Sequence, residues 1–371
     1  MLKVDRRYVD ALHVAIENLV SEADTAGAMD TLLSTLHTAM YLEASTVPPY
    51  YVASWSIQDA GDGYQNAMVR KLIADVSREE MMHMMSIANI ISATGNVPKI
   101  ANPQMVLNWG TDTLPVGGDL VPSLSPFSMD LLTTLFMEIE KPVNPVYYVV
   151  VEARRKALVQ DVHYATIGEF YAALITLINT FPQDPFLGGG NHPQINVSDD
   201  PRFANIGYAP ITNFVVKDKT HAIELLEWIV DQGEGSPAGP LDGDGNPAHY
   251  YRFAEIYKGG KLVADASQPL GYAYDRGQFP INVDFSKITQ FASNPKMSQF
   301  PTDSRPYKGL KSFNQKYTDM FRSLQKFYDS GDTQNISESI NYMNSMAGVV
   351  PQLFAMTPPI CPSFEWIDAT V

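Results

Sequence analysis

At 371 residues and 45% hydrophobic content, the chain can hold one large domain or two smaller ones around a sizeable core. Its 26 Lys and Arg against 41 Asp and Glu give a net charge of −15, which repels nucleic acid and anionic membrane and argues against both as partners. The single cysteine, Cys361, rules out an intramolecular disulfide, the start lacks the apolar run of a secretory signal, and no run nears the ~18 apolar residues of a membrane span, so a cytoplasmic location is the expectation.

Residues 1–24 read as a short amphipathic helix. A long helix is expected from about Met29 to Ile57, kinked past Glu43 by Pro48 and Pro49, which remove backbone donors. A second long helix is expected from about Tyr64 to Thr94, stopped by Gly95, Asn96 and Pro98. Residues 96–127 read as a crossover, and Ser128 as the cap of a helix ending before Pro142. Val146–Glu152 is strand or helix by pattern. Further helices are expected from Thr166 to about Phe181, from Lys219 to Gln232 and from Ala248 to Tyr257. The intervening stretches, 183–217 and 233–247, are rich in Gly and Pro. Residues 258–307 are dominated by Gly, Pro, Ser and Asp, and two last helices fall near 312–329 and 334–356. The chain thus reads as all-α with long loops. Residues 1–257 form the main helical unit and 258–371 an extension packed on it.

One constellation implies chemistry. On the second long helix, Glu80 and His83 lie in line with Val69, Ile73, Val76, Ile87 and Ile90 at steps of three or four, so an acid and an imidazole interrupt a core stripe. On the first, Glu43 interrupts Leu32, Leu36, Met40, Val47 and Tyr50 in the same way. A carboxylate in such a stripe must be paired, protonated or metal-bound. Glu-x-x-His with a lone Glu on a neighbouring helix is the half-site of carboxylate-bridged di-metal bundles. The alternative is a buried Glu–His hydrogen-bonded network.

The run Leu42-Glu43-Ala44-Ser45-Thr46-Val47-Pro48-Pro49-Tyr50, with Ser56-Ile57 after it, resembles the first helix of the ferritin-like domain of iminophenylpyruvate dimer synthases, enzymes of bisindole pigment pathways. Glu79-Glu80-Met81-Met82-His83, followed by Ala88-Asn89, Gly95 and Pro98, is similar to that domain's second helix. Thr166-Ile167-Gly168-Glu169-Phe170-Tyr171 resembles its third. Gln232-Gly233-Glu234-Gly235 and His249-Tyr250-Tyr251-Arg252-Phe253 resemble its fourth helix and the continuation of that helix. The resemblance spans about 27–257. It implies a ferritin-like four-helix bundle, here with additional helices and long loops, and a di-iron centre with O2 as co-substrate. Carried over by position, the metal ligands are Glu43, Glu80, His83, Glu169, Glu234 and His249. Since the pigment-pathway enzymes are far longer, their dimerising reaction does not transfer.

The last three ligands have rival readings. Thr166 and Glu169 also form a capping box, in which the Glu reaches back to the cap amide. Glu234 is also an acid in a Gly-rich turn, and His249 also a histidine at a helix start. Glu224 and Glu227 share a polar face with Thr220 and Asp231 and read as solvated. Asp242-Gly243-Asp244-Gly245-Asn246 imitates a calcium loop, but Pro247 and Phe253 occupy positions that need Gly and Glu. Met81, Met82, Met84 and Met85 read as adaptable core filler rather than a copper site. His37 and Tyr41, four residues apart, read as a hydrogen-bonded pair. The functional expectation is O2-dependent oxidation of a small amino-acid-derived or secondary-metabolite substrate. Iron storage without substrate oxidation and a metal-free scaffold stand as alternatives, and self-association stays open.

Overall fold

A computed structural model describes residues 4–116, 118–142, 164–165, 167–197, 214–234, 239–268 and 270–368. Helix α1 (Arg6–Ser21) starts at Asp5, whose side chain accepts from the Arg7 amide. Its buried Val9, Leu12, Ala15 and Leu19 repeat at helical spacing and face the bundle.

Helices α2 (Thr25–Ser56) and α3 (Asn66–Ala93) pack together more extensively than any other pair of elements among the described residues. Helix α2 runs on through Pro48 and Pro49 as one element. From Leu42 to Tyr50 it is buried on all sides, as expected of a helix enclosed by others rather than lying on a surface. Helix α3 ends where the sequence indicates: Gly95 adopts φ +82°, a left-handed conformation that only glycine takes without strain.

A short helix, α4 (129–139), comes after the crossover. Ser128 caps it by accepting from the Leu131 amide at 3.0 Å. Its central turn, Leu132–Phe136, is π-helical, and such widened turns shift the phase of every side chain after them. Helices α5 (Ile167–Thr180) and α6 (Lys219–Glu234) pack on each other, with Phe170, Leu174, Leu177 and Ile178 buried on α5. Glu224 and Glu227 on α6 are exposed, as their polar face predicts. Helix α7 (His249–Lys258) ends at Gly259 in the left-handed conformation. Val146–Glu152 lies outside the described residues. Tyr164–Ala165 (β2) pairs antiparallel with Val4–Asp5 (β1).

Three expectations fail after α7. A hairpin, β3 (Gly260–Ala264) and β4 (Tyr272–Pro280), occupies a stretch that reads as irregular in the sequence. Much of it is solvent-exposed, so it lacks the apolar alternation that marks a strand. The Leu262 amide ties it to α7 through Glu255 at 2.8 Å. Helix α8 (Arg305–Ser330) starts earlier than expected because Pro306 sits in its first turn, where its missing amide costs nothing. The final helix is broken into α9 (Gln334–Ala347) and α10 (Val350–Phe354).

The C-terminal helices are joined to the bundle. Tyr328 donates to the buried Asn89 at 2.8 Å, and Trp55 of α2 meets Phe313 and stacks on Phe364. Among the described residues, no helix is long and apolar enough to cross a membrane.

His37 and Tyr41 pin the crossover to α2. His37 Nδ1 lies 2.8 Å from the Leu33 carbonyl, its Nε2 accepts from the Lys99 amide at 3.1 Å, and Tyr41 donates to the Lys99 carbonyl at 3.3 Å. Burial lowers the His37 pKa below 6.5, so the unfolded chain binds the extra proton more readily than the folded one. This stabilisation is therefore present above pH 6.5 and lost as pH falls through the folded value. Between pH 7.5 and pH 5, thermal melts should show a larger drop for the parent than for His37→Gln.

Candidate metal centre

Five buried side chains converge in the bundle: Glu43 from α2, Glu80 and His83 from α3, Glu140 just past the end of α4, and His249 at the start of α7. Ligand atoms of Glu43, Glu80 and His83 all lie within 4.8 Å of one another, and so do those of Glu80, Glu140 and His249. Glu80 belongs to both groups. Its Oε2 is 3.7 Å from His83 Nδ1, and its Oε1 is 2.9 Å from His249 Nδ1.

The two halves are built alike around this shared carboxylate. In one, Glu43 Oε2 faces His83 Nδ1 at 3.6 Å, while Oε1 accepts from the Tyr171 hydroxyl at 2.5 Å. In the other, Glu140 Oε2 faces His249 Nδ1 at 3.4 Å, while Oε1 accepts from the Tyr50 hydroxyl at 2.5 Å. Each outer carboxylate thus has one oxygen anchored by a tyrosine and one turned inward. Thr46 donates to Glu80 Oε2 at 3.1 Å and holds the shared carboxylate in place.

Both imidazoles present Nδ1 to the carboxylates and are held from behind through Nε2. His83 Nε2 lies 3.0 Å from Gln232 Oε1, and His249 Nε2 lies 2.7 Å from Glu79 Oε2. Metal-binding histidines are held in this way, with the far nitrogen fixed by a carboxylate, carbonyl or amide oxygen. His249 Nδ1 is buried and makes no hydrogen bond of acceptable geometry, although two carboxylates lie beside it. Such an orphaned nitrogen facing hard oxygen donors fits a cation between them.

The electrostatics point the same way. Burial lifts the Glu43 carboxyl to about 7, against the pull of His83. Burial also opposes the charge on Glu80, yet His83 and His249 hold it well below the ordinary carboxylate range. Burial works against both imidazolium ions as well, but the carboxylates prevail. His83 is raised to about 10, chiefly by Glu80 and Glu43, and His249 well above its ordinary value by Glu140, Glu79 and Glu80. Protons on the imidazoles balance the acids here, a role that a bound cation would take over.

Behind His249, Glu79 also accepts from Arg252 Nη1 at 2.6 Å, and Arg252 Nε donates to the Pro247 carbonyl at 2.6 Å. Arg252 Nη2 lies 3.5 Å from Asp242 Oδ2. Asp242 Oδ1 in turn accepts from the amides of Asp244 and Asn246, so the calcium-loop look-alike is a side-chain-stabilised turn. A cavity of about 40 Å³ touches Glu43, Glu80, His83 and Glu140, enough for a water-sized molecule.

Of the six residues expected to bind metal, the structure brings Glu43, Glu80, His83 and His249 together. Glu169 is not with them. It sits two residues before Tyr171, roughly 200° around the helix, so when Tyr171 points at Glu43 Glu169 faces outward. There it lines an outer groove with Arg6 and His13 of α1. Its capping-box reading depends on Thr166, which lies outside the described residues, as does the side chain of Glu234. Glu140 takes the place expected of Glu169. It extends Leu132 and Phe136 at four-residue steps, the same interrupted stripe that marks Glu43, and this signal is present in the sequence.

A ferritin-like family model matches residues 36–258, which contain all five converging side chains. The chain is a ferritin-like protein. This ferritin-like chain is 27% identical over 212 residues to a dichlorochromopyrrolate synthase of Lentzea aerocolonigenes. The match covers 53% of this chain but 19% of the synthase, so it spans about a fifth of that relative's length. The crystal structure of a ferritin-like protein from Caulobacter vibrioides superposes with a TM-score of 0.53 at 19% identity. It covers 89% of this chain and 96% of its own, which supports the fold.

Proposed function

We propose that this ferritin-like protein is a non-haem di-iron oxidoreductase that uses O2 to oxidise a small amino-acid-derived or secondary-metabolite compound. The observation that carries the reading is Glu80, one buried carboxylate whose two oxygens face two separate imidazole–carboxylate pairs. Glu43 and His83 would hold one metal, Glu140 and His249 the other, with Glu80 between them. Hard carboxylate oxygens suit ferric iron and imidazole suits ferrous iron, so the donor set tolerates both states. Iron held there would supply redox chemistry toward O2.

The protein's own groups have definable tasks. Tyr171 and Tyr50 fix the outer carboxylates, and burial, then the adjacent Glu43 and Glu140, pushes both phenol pKa values well above 10. The two hydroxyls therefore stay protonated as donors. Gln232 and Glu79 hold the rings with Nδ1 inward. The packed walls keep bulk water from the centre. The relative named for making dichlorochromopyrrolate supports a small organic substrate.

The test is anaerobic reconstitution with ferrous iron, elemental analysis, then exposure to air. About two irons per chain, O2 consumption and ferric absorption are expected. Absence of bound iron after reconstitution overturns the reading. Within the same experiment, Glu140→Ala should lower the content to about one iron, and Glu169→Ala should leave about two. The opposite pattern would return the ligand role to Glu169.

A further inference from the structure

At 100° per residue, Arg78, Met81, Met82 and Met85 lie on the side of α3 away from Glu80 and His83, and Met84 lies at its edge, about 40° from Glu80. They form one wall of a cavity of about 140 Å³ closed by α8 and α9, which contribute Met320 and Met343 among other apolar side chains. An apolar cavity of about this size accepts a benzene ring. Methionine is the side chain best suited to an adaptable pocket, and its sulfur makes favourable contacts with ring edges.

Of the two polar residues in the lining, Ser339 is satisfied by the Met320 carbonyl at 3.0 Å, but Arg78 is charged. Arg78 pairs with the buried Asp75, but Asp75 also takes Lys71 Nζ at 2.6 Å. A single carboxylate thus serves two cations, one of them the largely exposed Lys71, so it does not balance the Arg78 guanidinium in full. The Nε–H of Arg78 is buried and makes no hydrogen bond, which is costly unless a ligand accepts it.

We propose that this cavity binds a monocyclic aromatic carboxylate, its ring among the methionines and its carboxylate accepting from Arg78 Nε. The ring matches the volume and the sulfurs. The carboxylate matches both the incompletely balanced guanidinium and its orphaned donor. This assignment does not rest on the di-iron reading, because the cavity lining includes none of the five converging Glu and His side chains.

The test is calorimetric titration of the full chain, stripped of metal by chelation, with benzoate and with its neutral counterpart benzyl alcohol. Benzoate should saturate at one site and bind at least about tenfold tighter than the alcohol, the loss expected when a charge-assisted bond is missing. Arg78→Gln should bring the two ligands level while keeping alcohol binding. Met343→Trp should fill the cavity and abolish both. A measurement on the parent protein alone guards against variants that fail to fold. With 13C-labelled methionine methyls, benzoate should shift the resonances of Met81, Met82, Met84, Met85, Met320 and Met343 and spare the others. No saturable benzoate binding, equal affinity for the alcohol, or shifts confined to methionines elsewhere would overturn the proposal. Iron content is measured separately, so failure here leaves the metal reading untouched, and the converse holds.

Discussion

Glu80→Ala is expected to abolish iron uptake altogether, from about two ions per chain to near none, whereas His83→Ala and His249→Ala should each lose about one. The difference lies in the geometry. Each histidine faces one half of the centre, but Glu80 offers Oε2 to one half and Oε1 to the other. Removing it leaves each half with one carboxylate and one imidazole, too few donors to hold a metal tightly. Elemental analysis after anaerobic reconstitution checks the count, and far-UV circular dichroism on the same samples checks that the helices persist. If Glu80→Ala retains about one iron, the carboxylate is not shared and the two-metal geometry is wrong.

Arg252→Met should cost about 3–5 kcal/mol of stability, the range for stripping one partner from a buried ion pair. Glu79 and Arg252 are each only 2% exposed, and Glu79 receives His249 as well as the guanidinium. Methionine keeps the apolar stem and removes the charge. It also removes the donor to the Pro247 carbonyl, which joins the 239–247 turn to α7. Denaturant titration should show the midpoint falling sharply. The double variant Glu79→Gln/Arg252→Met should recover part of the loss, because the carboxylate closest to the guanidinium is gone and only Asp242 is left without its cation. A midpoint unmoved in Arg252→Met would mean that Glu79 is charge-balanced by other means.

The parts of the centre on α2 and α3 are legible in the sequence for one physical reason. A long helix fixes which residues share a face, so a polar residue inside an apolar stripe stands out. Glu43, Glu80 and His83 all obey that rule. Glu140 obeys it too, but it comes after a short helix embedded in a crossover, and its partners Tyr50 and His249 are distant in sequence. With the third bundle helix expected at 166–181, Glu169 is the acid nearest the expected level. The decisive fact is rotation about α5, which gives the centre Tyr171 and turns Glu169 toward α1. Glu79, Gln232 and Arg252 carry no periodic signal for their roles, because holding a ring from behind depends on three-dimensional approach. The hairpin after α7 is illegible for lack of a buried face, and the start of α8 is hidden by the Pro-rich composition that runs up to Pro306.

The supports of the two imidazoles are not the same. His83 rests on the neutral amide of Gln232, His249 on the carboxylate of Glu79. An anionic support pushes electron density into the ring, and a neutral one does so far less. The two halves thus match in their carboxylates and tyrosines but differ behind their rings, with an ion-paired carboxylate, Glu79 with Arg252, on the α7 side and an amide on the α6 side. A cation would therefore meet two chemically distinct half-sites rather than an equivalent pair.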